Sequence, residues 1–413
     1  ELPKRRSRAH KRHRLSTITS IACARSDGFA YLCLRLTHKG ASSVKDLSVL
    51  VIGGGIGGLT AAIALRRRGF DVHMIEKDAT WSVYGVGIIQ QSNVLRAVDA
   101  LGILDQYIHA GAGFDAVEVY APNGTKVARV PSHRLLPDRP ANLGISRRAL
   151  QKVLGDAAMA AGATLRLGVT IEAIDSRERG HVRFSDHSSG SYDLVIGADG
   201  AYSQTRSIVL PQATKPQFTG QAVWRYNLPR PAGLDALHVY NGPIGAGLVP
   251  ISSDLMYLYL TTPEPDNPRY PRVGLAAMMR GKTATCAPAI RELARDITQD
   301  DDVVYRPLDS LLIGGPWHRG CVALLGDAVH TATPHLGQGA GLAIEDSLVL
   351  AEELANQQSI EAALTAYRMR RFERCAYIVR ASLAICMGQL GAAPAVDNAK
   401  ATAEMFDVTA QAI

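Results

Sequence analysis

The sequence predicts an α/β fold. A domain built on a parallel sheet comes first, an antiparallel sheet is inserted into it, and a helical segment closes the chain. Three observations predict this. A short apolar run, Leu47 to Ile52, leads straight into the turn Gly53-Gly54-Gly55-Ile56-Gly57-Gly58. Two later apolar runs, Asp193 to Ala198 and Cys321 to Leu325, each end where an Asp adjoins a Gly, at Asp199-Gly200 and Gly326-Asp327. Between these lie alternating, aromatic-containing runs punctuated by Pro and Gly. Continuous apolar runs suit strands covered on both faces, whereas alternation suits strands with one buried face.

Composition excludes several classes. The chain has 413 residues, 47% hydrophobic and only 20% charged, which is enough to build a core and excludes wholesale disorder. No apolar run reaches the length of a membrane-spanning helix. Cys23, Cys33, Cys286, Cys321, Cys375 and Cys386 are scattered without a CxxC pair. That spacing argues against a zinc site or a disulfide scaffold and suits the reduced thiols of a cytoplasmic protein. No metal site is expected.

The net charge of +7 is misleading. Residues 1–43 hold ten Lys/Arg against two acids, so the remaining chain is close to neutral. This first segment has no clear helix or strand period. A basic nucleic-acid arm, a transit peptide and a signal peptide are functional readings of it. The preferred expectation is an extension foreign to the fold, with the native chain starting at Val44 and no nucleic-acid partner.

The elements follow in order. The Leu47–Ile52 strand, the glycine turn, a helix over 59–68, a strand over 71–75 and Glu76 at its end form a dinucleotide-binding unit about 30 residues long. Gly53 allows the tight turn. Gly55 lets backbone approach a pyrophosphate, and Gly58 lets the helix pack on the strand. Ile56 and Gly57 would present helix N-terminal N–H groups to phosphate. Glu76 can accept hydrogen bonds from ribose hydroxyls, with Lys77 beside it. This spacing alone does not separate FAD from NAD. Asp199 and Asp327, at the carboxyl ends of strands, face the crevice where α/β sheets bind ligands. After Thr333-Pro334-His335-Leu336, the run Gly337-Gln338-Gly339-Ala340-Gly341 opens a helix reaching Leu354.

In the order and spacing of these motifs the chain resembles the class A FAD-dependent aromatic monooxygenases, the group that includes para-hydroxybenzoate hydroxylase, salicylate hydroxylase and 6-hydroxynicotinate 3-monooxygenase. The resemblance covers roughly residues 45–380. It implies a Rossmann-like FAD-binding domain with an inserted antiparallel-sheet substrate domain. It also implies that Asp199 serves FAD and the nicotinamide cofactor, and that Asp327 contacts ribityl or ribose hydroxyls. Arg147, or Arg148 one residue on, would meet the FAD phosphate region, and Gly87 lies in the stretch that follows the ribose-binding acid. Many relatives carry Asn and Gly where this chain has Gly341 and Ala343. Backbone N–H groups from Gly339 to Leu342 would then hold the flavin pyrimidine edge.

The expected domains are 1–43 as the extension, 44–215 and 301–355 as the FAD-binding domain, 216–300 as the substrate sheet, and 356–413 as the helical segment. Strands are expected over 221–226, 236–240, 247–251 and 255–261. Arg225 could pair with a substrate carboxylate, Tyr226 or His335 could hold or deprotonate a phenol, and Tyr257 and Pro334 are candidate pocket residues. His330 reads as structural. Arg368, Arg370, Arg371, Arg374 and Arg380 are expected as a charged outer stripe on the C-terminal packing helix.

The resemblance implies that NADH or NADPH reduces the flavin. Dioxygen then forms a flavin hydroperoxide, and its terminal oxygen attacks an electron-rich phenolic or heteroaromatic acid. A flavin epoxidase or other non-phenolic oxygenase on the same scaffold, and a non-catalytic flavin redox sensor, are the rival readings. A monomer or homodimer without membrane partners is expected.

Overall fold

A computed structural model describes residues 47–413 apart from 84, 177 and 178, so the expectations for residues 1–43 lie outside the described residues. The first sheet has six strands in the order His318–Arg319, Val322–Leu324, Leu194–Gly197, Ser48–Ile52, Asp71–Glu76 and Thr164–Leu167. All its pairs are parallel except the edge pair formed by His318–Arg319. Leu194–Gly197 and Val322–Leu324 are buried throughout, as their continuous apolar runs predict. Because Ile52 pairs with Gly197, and Gly197 with Leu324, the Gly53, Asp199 and Gly326 turns all leave the same carboxyl edge of the sheet.

The first helix, Ile56–Arg66, starts inside the glycine run rather than at residue 59. It packs against Gly339–Asn356, where the Thr60 and Ser347 hydroxyls meet at 2.8 Å. A Cβ on Gly58 would stand 1.9 Å from the Gly53 carbonyl oxygen, so this contact requires glycine.

A second sheet has seven strands, in the order Val304–Ser310, Gln217–Pro229, Leu255–Pro263, Gly245–Pro250, Leu237–Tyr240, Ala116–Tyr120 and Lys126–Pro131. The four strands expected in the insert are all present. The sheet also recruits Ala116–Tyr120 and Lys126–Pro131 from before residue 216 and Val304–Ser310 from after residue 300. Local alternation identifies a strand, but not a partner more than 100 residues away. One face of this sheet packs on a separate apolar core containing Trp224, Tyr226, Leu258, Leu260 and Met279, against the helices Leu275–Lys282 and Pro288–Leu293. The other face looks toward the glycine turns. Smaller three-stranded sheets, Gly87–Gln90 with Asn142–Ser146 and Gly111–Phe114, and Ile171–Asp175 with Gly180–Phe184 and Ser189–Tyr192, complete the strand structure.

Two helices end the chain, Ile360–Gln389 and Asn398–Ala410. The long one corrects the expected outer stripe of arginines. Arg371 is fully buried and Arg374 nearly so. Arg371 holds Asp346 at 2.8 Å and Glu345 at 2.8 Å, and Arg374 holds Glu345 at 3.1 Å. Two acids on the facing helix Gly339–Asn356 draw the guanidiniums inward, a pairing the linear sequence does not display. Among the described residues no helix is long and apolar enough to cross a membrane.

Candidate active site

A cavity of about 490 Å³ lies between the carboxyl edge of the parallel sheet and the inner face of the antiparallel sheet. The sequence-predicted residues Gly55, Ile56, Gly57, Gly87, Arg147, Arg225, Tyr257, Gly326, Asp327, Pro334, His335, Gly337, Gly339 and Ala340 all line it. They come from separate segments that only the fold brings together.

Two helix N-termini open into the cavity. Ile56–Arg66 and Gly339–Asn356 each lack a side-chain cap and an acid in the first turn. A Cβ built on Gly55 or Gly339 would meet nothing within 4 Å. Both ends therefore offer bare N–H groups and positive dipole ends to a ligand. The turn beneath the first is firmly held. Gly54 N–H donates to Glu76 at 2.8 Å, while its carbonyl accepts from Trp81 Nε1 at 2.8 Å and Gln151 Nε2 at 2.9 Å. Arg147, rather than Arg148, reaches the cavity, positioned by the first turn of the helix Arg147–Ala160, which Ser146 caps.

Asp327 is open to the cavity yet ringed by protein, and that desolvation raises its carboxyl pKa. Behind it, the Asp346 carboxylate accepts from Gly326 N–H at 3.1 Å and meets His330 Nε2 at 2.6 Å. Burial works against the Asp346 charge, but His330 and Arg371 outweigh it and hold its pKa down to about 2. The Cys375 thiol joins His330 and Asp346 within 4.8 Å. Arg371 already shares Asp346, so the cluster reads as an ion-pair core under the Gly326 turn.

Other expected residues sit elsewhere. Gly53, Gly58, Gly341 and Leu342 do not line the cavity. Gly53 and Gly58 set the strand–helix approach, Gly341 closes on Val94, and Leu342 is core. Glu76 spends its oxygens on the Gly54 and Asp78 N–H groups, and Lys77 is exposed. The Asp199 carboxylate accepts from Ser203 Oγ at 2.5 Å and from Thr205 at 2.9 Å, turned into the following helix, while its neighbours Ala198 and Gly200 line the cavity.

Tyr226 needs correction as a catalytic candidate. It is buried in the separate core behind the sheet, and its hydroxyl oxygen accepts from the Thr298 and Gln299 N–H groups at 3.4 and 3.3 Å. Adjacent residues of a strand point to opposite faces, so Arg225 in the cavity excludes Tyr226 from it.

The sheet wall brings Arg225 beside Tyr259, its cross-strand partner, with Arg306 one strand further out and Thr261 two residues along. Desolvation brings Arg225 down to about 10 and Tyr257 up to about 12. Arg225 and Arg147 form no ion pair among the described residues.

His335 Nε2 lies 3.1 Å from Gln389 Oε1, and its Nδ1 lies 3.0 Å from Thr333 Oγ1. Gln389 Oε1 also accepts from Gln221 Nε2 and Thr261 Oγ1, so Nε2 of His335 carries the proton and Nδ1 accepts. Desolvation holds the imidazole pKa down to about 4. The i, i+2 spacing of Tyr259 to Tyr257 is a local signal for its place on the same face. Gln389, 54 residues after His335, leaves no local signal.

A glycine-turn dinucleotide site combined with an anion-receptive cavity under a sheet defines a protein that binds a dinucleotide beside an enclosed ligand pocket. The family described as FAD binding domain matches residues 46–263 and 309–382. A Bacillus subtilis protein named as a putative FAD-dependent monooxygenase is 30% identical over 361 residues, covering 85% of this chain and 96% of that one. The 2-heptyl-3-hydroxy-4(1H)-quinolone synthase of Pseudomonas aeruginosa is 32% identical over 320 residues, covering 74% and 80%. The crystal structure of Klebsiella pneumoniae HpxO with FAD and uric acid superposes with a TM-score of 0.73 at 25% identity, covering 88% of this chain and 92% of that one. This chain belongs to the FAD-dependent monooxygenase family, and FAD is its cofactor.

Proposed function

We propose that the chain hydroxylates an electron-rich aromatic or heteroaromatic ring that carries an acidic group, taking electrons from NADH or NADPH and oxygen from dioxygen. The observation that carries this reading is the cavity-facing guanidinium of Arg225, which is desolvated and forms no ion pair among the described residues. A desolvated cation is costly alone, and an anionic ring substituent offsets that cost. Uric acid, bound with FAD in the structure of the Klebsiella protein, is an acidic heteroaromatic of this kind.

The residues present fit FAD. Gly55, Ile56 and Gly57 would hold its pyrophosphate, Asp327 its hydroxyl chain, and the Gly339 and Ala340 N–H groups the polar edge of its ring. Once bound and reduced, FAD supplies the oxygen activation. The protein supplies orientation and field. Tyr257 keeps its proton at neutral pH and serves as a hydrogen-bond donor to the substrate. His335 is neutral, with both ring nitrogens engaged. It orients through Gln389 and Thr333 rather than removing the phenol proton. Arg225 instead favours the ionised phenol or enol by charge.

The test is NAD(P)H oxidation in air by the FAD-loaded protein, against a panel of phenolic and N-heteroaromatic acids with neutral rings as controls. Stimulation by acidic rings with a hydroxylated product supports the reading. Equal stimulation by neutral rings, or none at all, overturns it.

A further inference from the structure

The inner face of the seven-stranded sheet changes character along one cross-strand row. Arg225 pairs with Tyr259, Tyr259 with Gly247, Gly247 with Val239, and Val239 with Val119. Directly paired residues share a face, so the row runs from a cation, through a phenol and a bare glycine, to aliphatics. At roughly 4.8 Å per strand it extends about 19 Å. Leu237 and Val117, paired with each other, line the same aliphatic end of the cavity. The charges of these two strands point the other way. Glu118 and His238 are also paired, and they meet at 3.3 Å on the opposite face.

The helix Asn398–Ala410 walls this end. Asn398, Thr402 and Met405, on one helical face, line the cavity. A donor of each of the two polar residues is engaged within the fold. Thr402 donates to the Asn398 carbonyl at 2.7 Å, and the Asn398 amide donates to Asn241 at 2.6 Å. Met405 adds flexible apolar surface to this wall, and Met adapts readily to an irregular partner. An unsubstituted ring with its acidic group at Arg225 would leave this aliphatic end in contact with water.

We infer that the substrate carries an apolar substituent, a linear or branched hydrocarbon chain, which leaves the ring on the side away from Arg225 and lies between the Val117–Leu237–Val239 surface and the helix Asn398–Ala410. This rests on the ring-hydroxylase reading and narrows its substrate class to amphipathic aromatics.

The experiment uses the FAD-loaded protein and 2-hydroxybenzoic acids bearing alkyl chains from methyl to nonyl at the position opposite the carboxylate. Kd is read from the flavin absorbance change, and turnover from NAD(P)H oxidation. Kd falls about fourfold per added methylene until the aliphatic end is filled. In Val239→Asp the ratio of the methyl to the longest-chain Kd collapses toward one. Should that variant lose its flavin, the chain-length series on the unaltered protein decides alone. A flat Kd across the series, with ring compounds still bound and turned over, overturns the inference and spares the ring-hydroxylase reading. If no ring compound, with or without a chain, binds or stimulates oxidation, both fall.

Discussion

The two walls of the cavity are made of different material. On the parallel-sheet side the ligand would meet mainly backbone, through the glycines of residues 53–58, the Gly326 turn and the first turn of Gly339–Asn356, with the Asp327 carboxylate and Arg147 among them. On the antiparallel side it would meet side chains, namely Arg225, Tyr257, Tyr259 and the aliphatics of Leu237–Tyr240. Backbone sites demand residues with no Cβ and constrain spacing tightly. Side-chain sites demand only that a strand present the right residue on the right face. The first wall is sensitive to a single methyl group, whereas the second tolerates exchange and answers with altered chemistry.

The strongest way to break this contrast is Gly58→Val. Its Cβ alone would fall 1.9 Å from the Gly53 carbonyl oxygen, so strand and helix must separate. The expected outcome is protein that retains no FAD after gel filtration, or that fails to fold. Retention of stoichiometric FAD would refute the claim that this wall is set by backbone contact.

Next in size is Arg371→Leu, which leaves Asp346 and Glu345 buried without their guanidinium. Breaking a buried ion pair costs about 3–5 kcal/mol. A matching drop is expected in urea-derived stability, and FAD binding should weaken because Asp346 also holds Gly326.

On the sheet side, Arg225→Met should leave FAD content intact. It should lower kcat/KM for an acidic ring by a factor on the order of 100, reflecting about 2–3 kcal/mol for a lost charge-assisted contact. Equal loss for neutral rings would mean that Arg225 serves the fold instead.

His335 sharpens the comparison through pH. Its folded pKa, about 4, lies below its ordinary 6.5, so the unfolded chain binds the extra proton first. Stability from this group is fully present above pH 6.5 and is lost as pH falls toward 4. The fall between those values should be shallower in His335→Gln, measured by urea melts at several pH values.

The smallest effect is assigned to Tyr226→Phe. It removes two long hydrogen bonds behind the sheet, costing about 1 kcal/mol or less of stability. Activity should stay within about twofold. A large loss of kcat would return Tyr226 to the reaction.

Legibility in the sequence follows the same division. Gly55, Gly326 and Gly339 are legible because glycine at fixed spacing marks places where backbone must come close to something. Arg225 and Tyr257 are legible only as residue types. Tyr226 is misplaced beside Arg225, because the phase of a strand depends on which face meets the ligand, and that is settled by pairing across the sheet. Gln389, Arg306 and the helix Asn398–Ala410 reach the cavity from far along the chain. The inward turn of Arg371 depends on Glu345 and Asp346, more than two dozen residues earlier on a facing helix.

The separate core behind the seven-stranded sheet has an evolutionary consequence. Trp224, Leu258 and Leu260 keep the sheet folded from one side, while Arg225, Tyr257 and Tyr259 on the same strands address the ligand from the other. Alternate positions along one strand thus answer to separate physical demands. A lineage can rewrite the inner face residue by residue, drifting from one aromatic to another, while the outer face keeps each intermediate stable enough to survive the change.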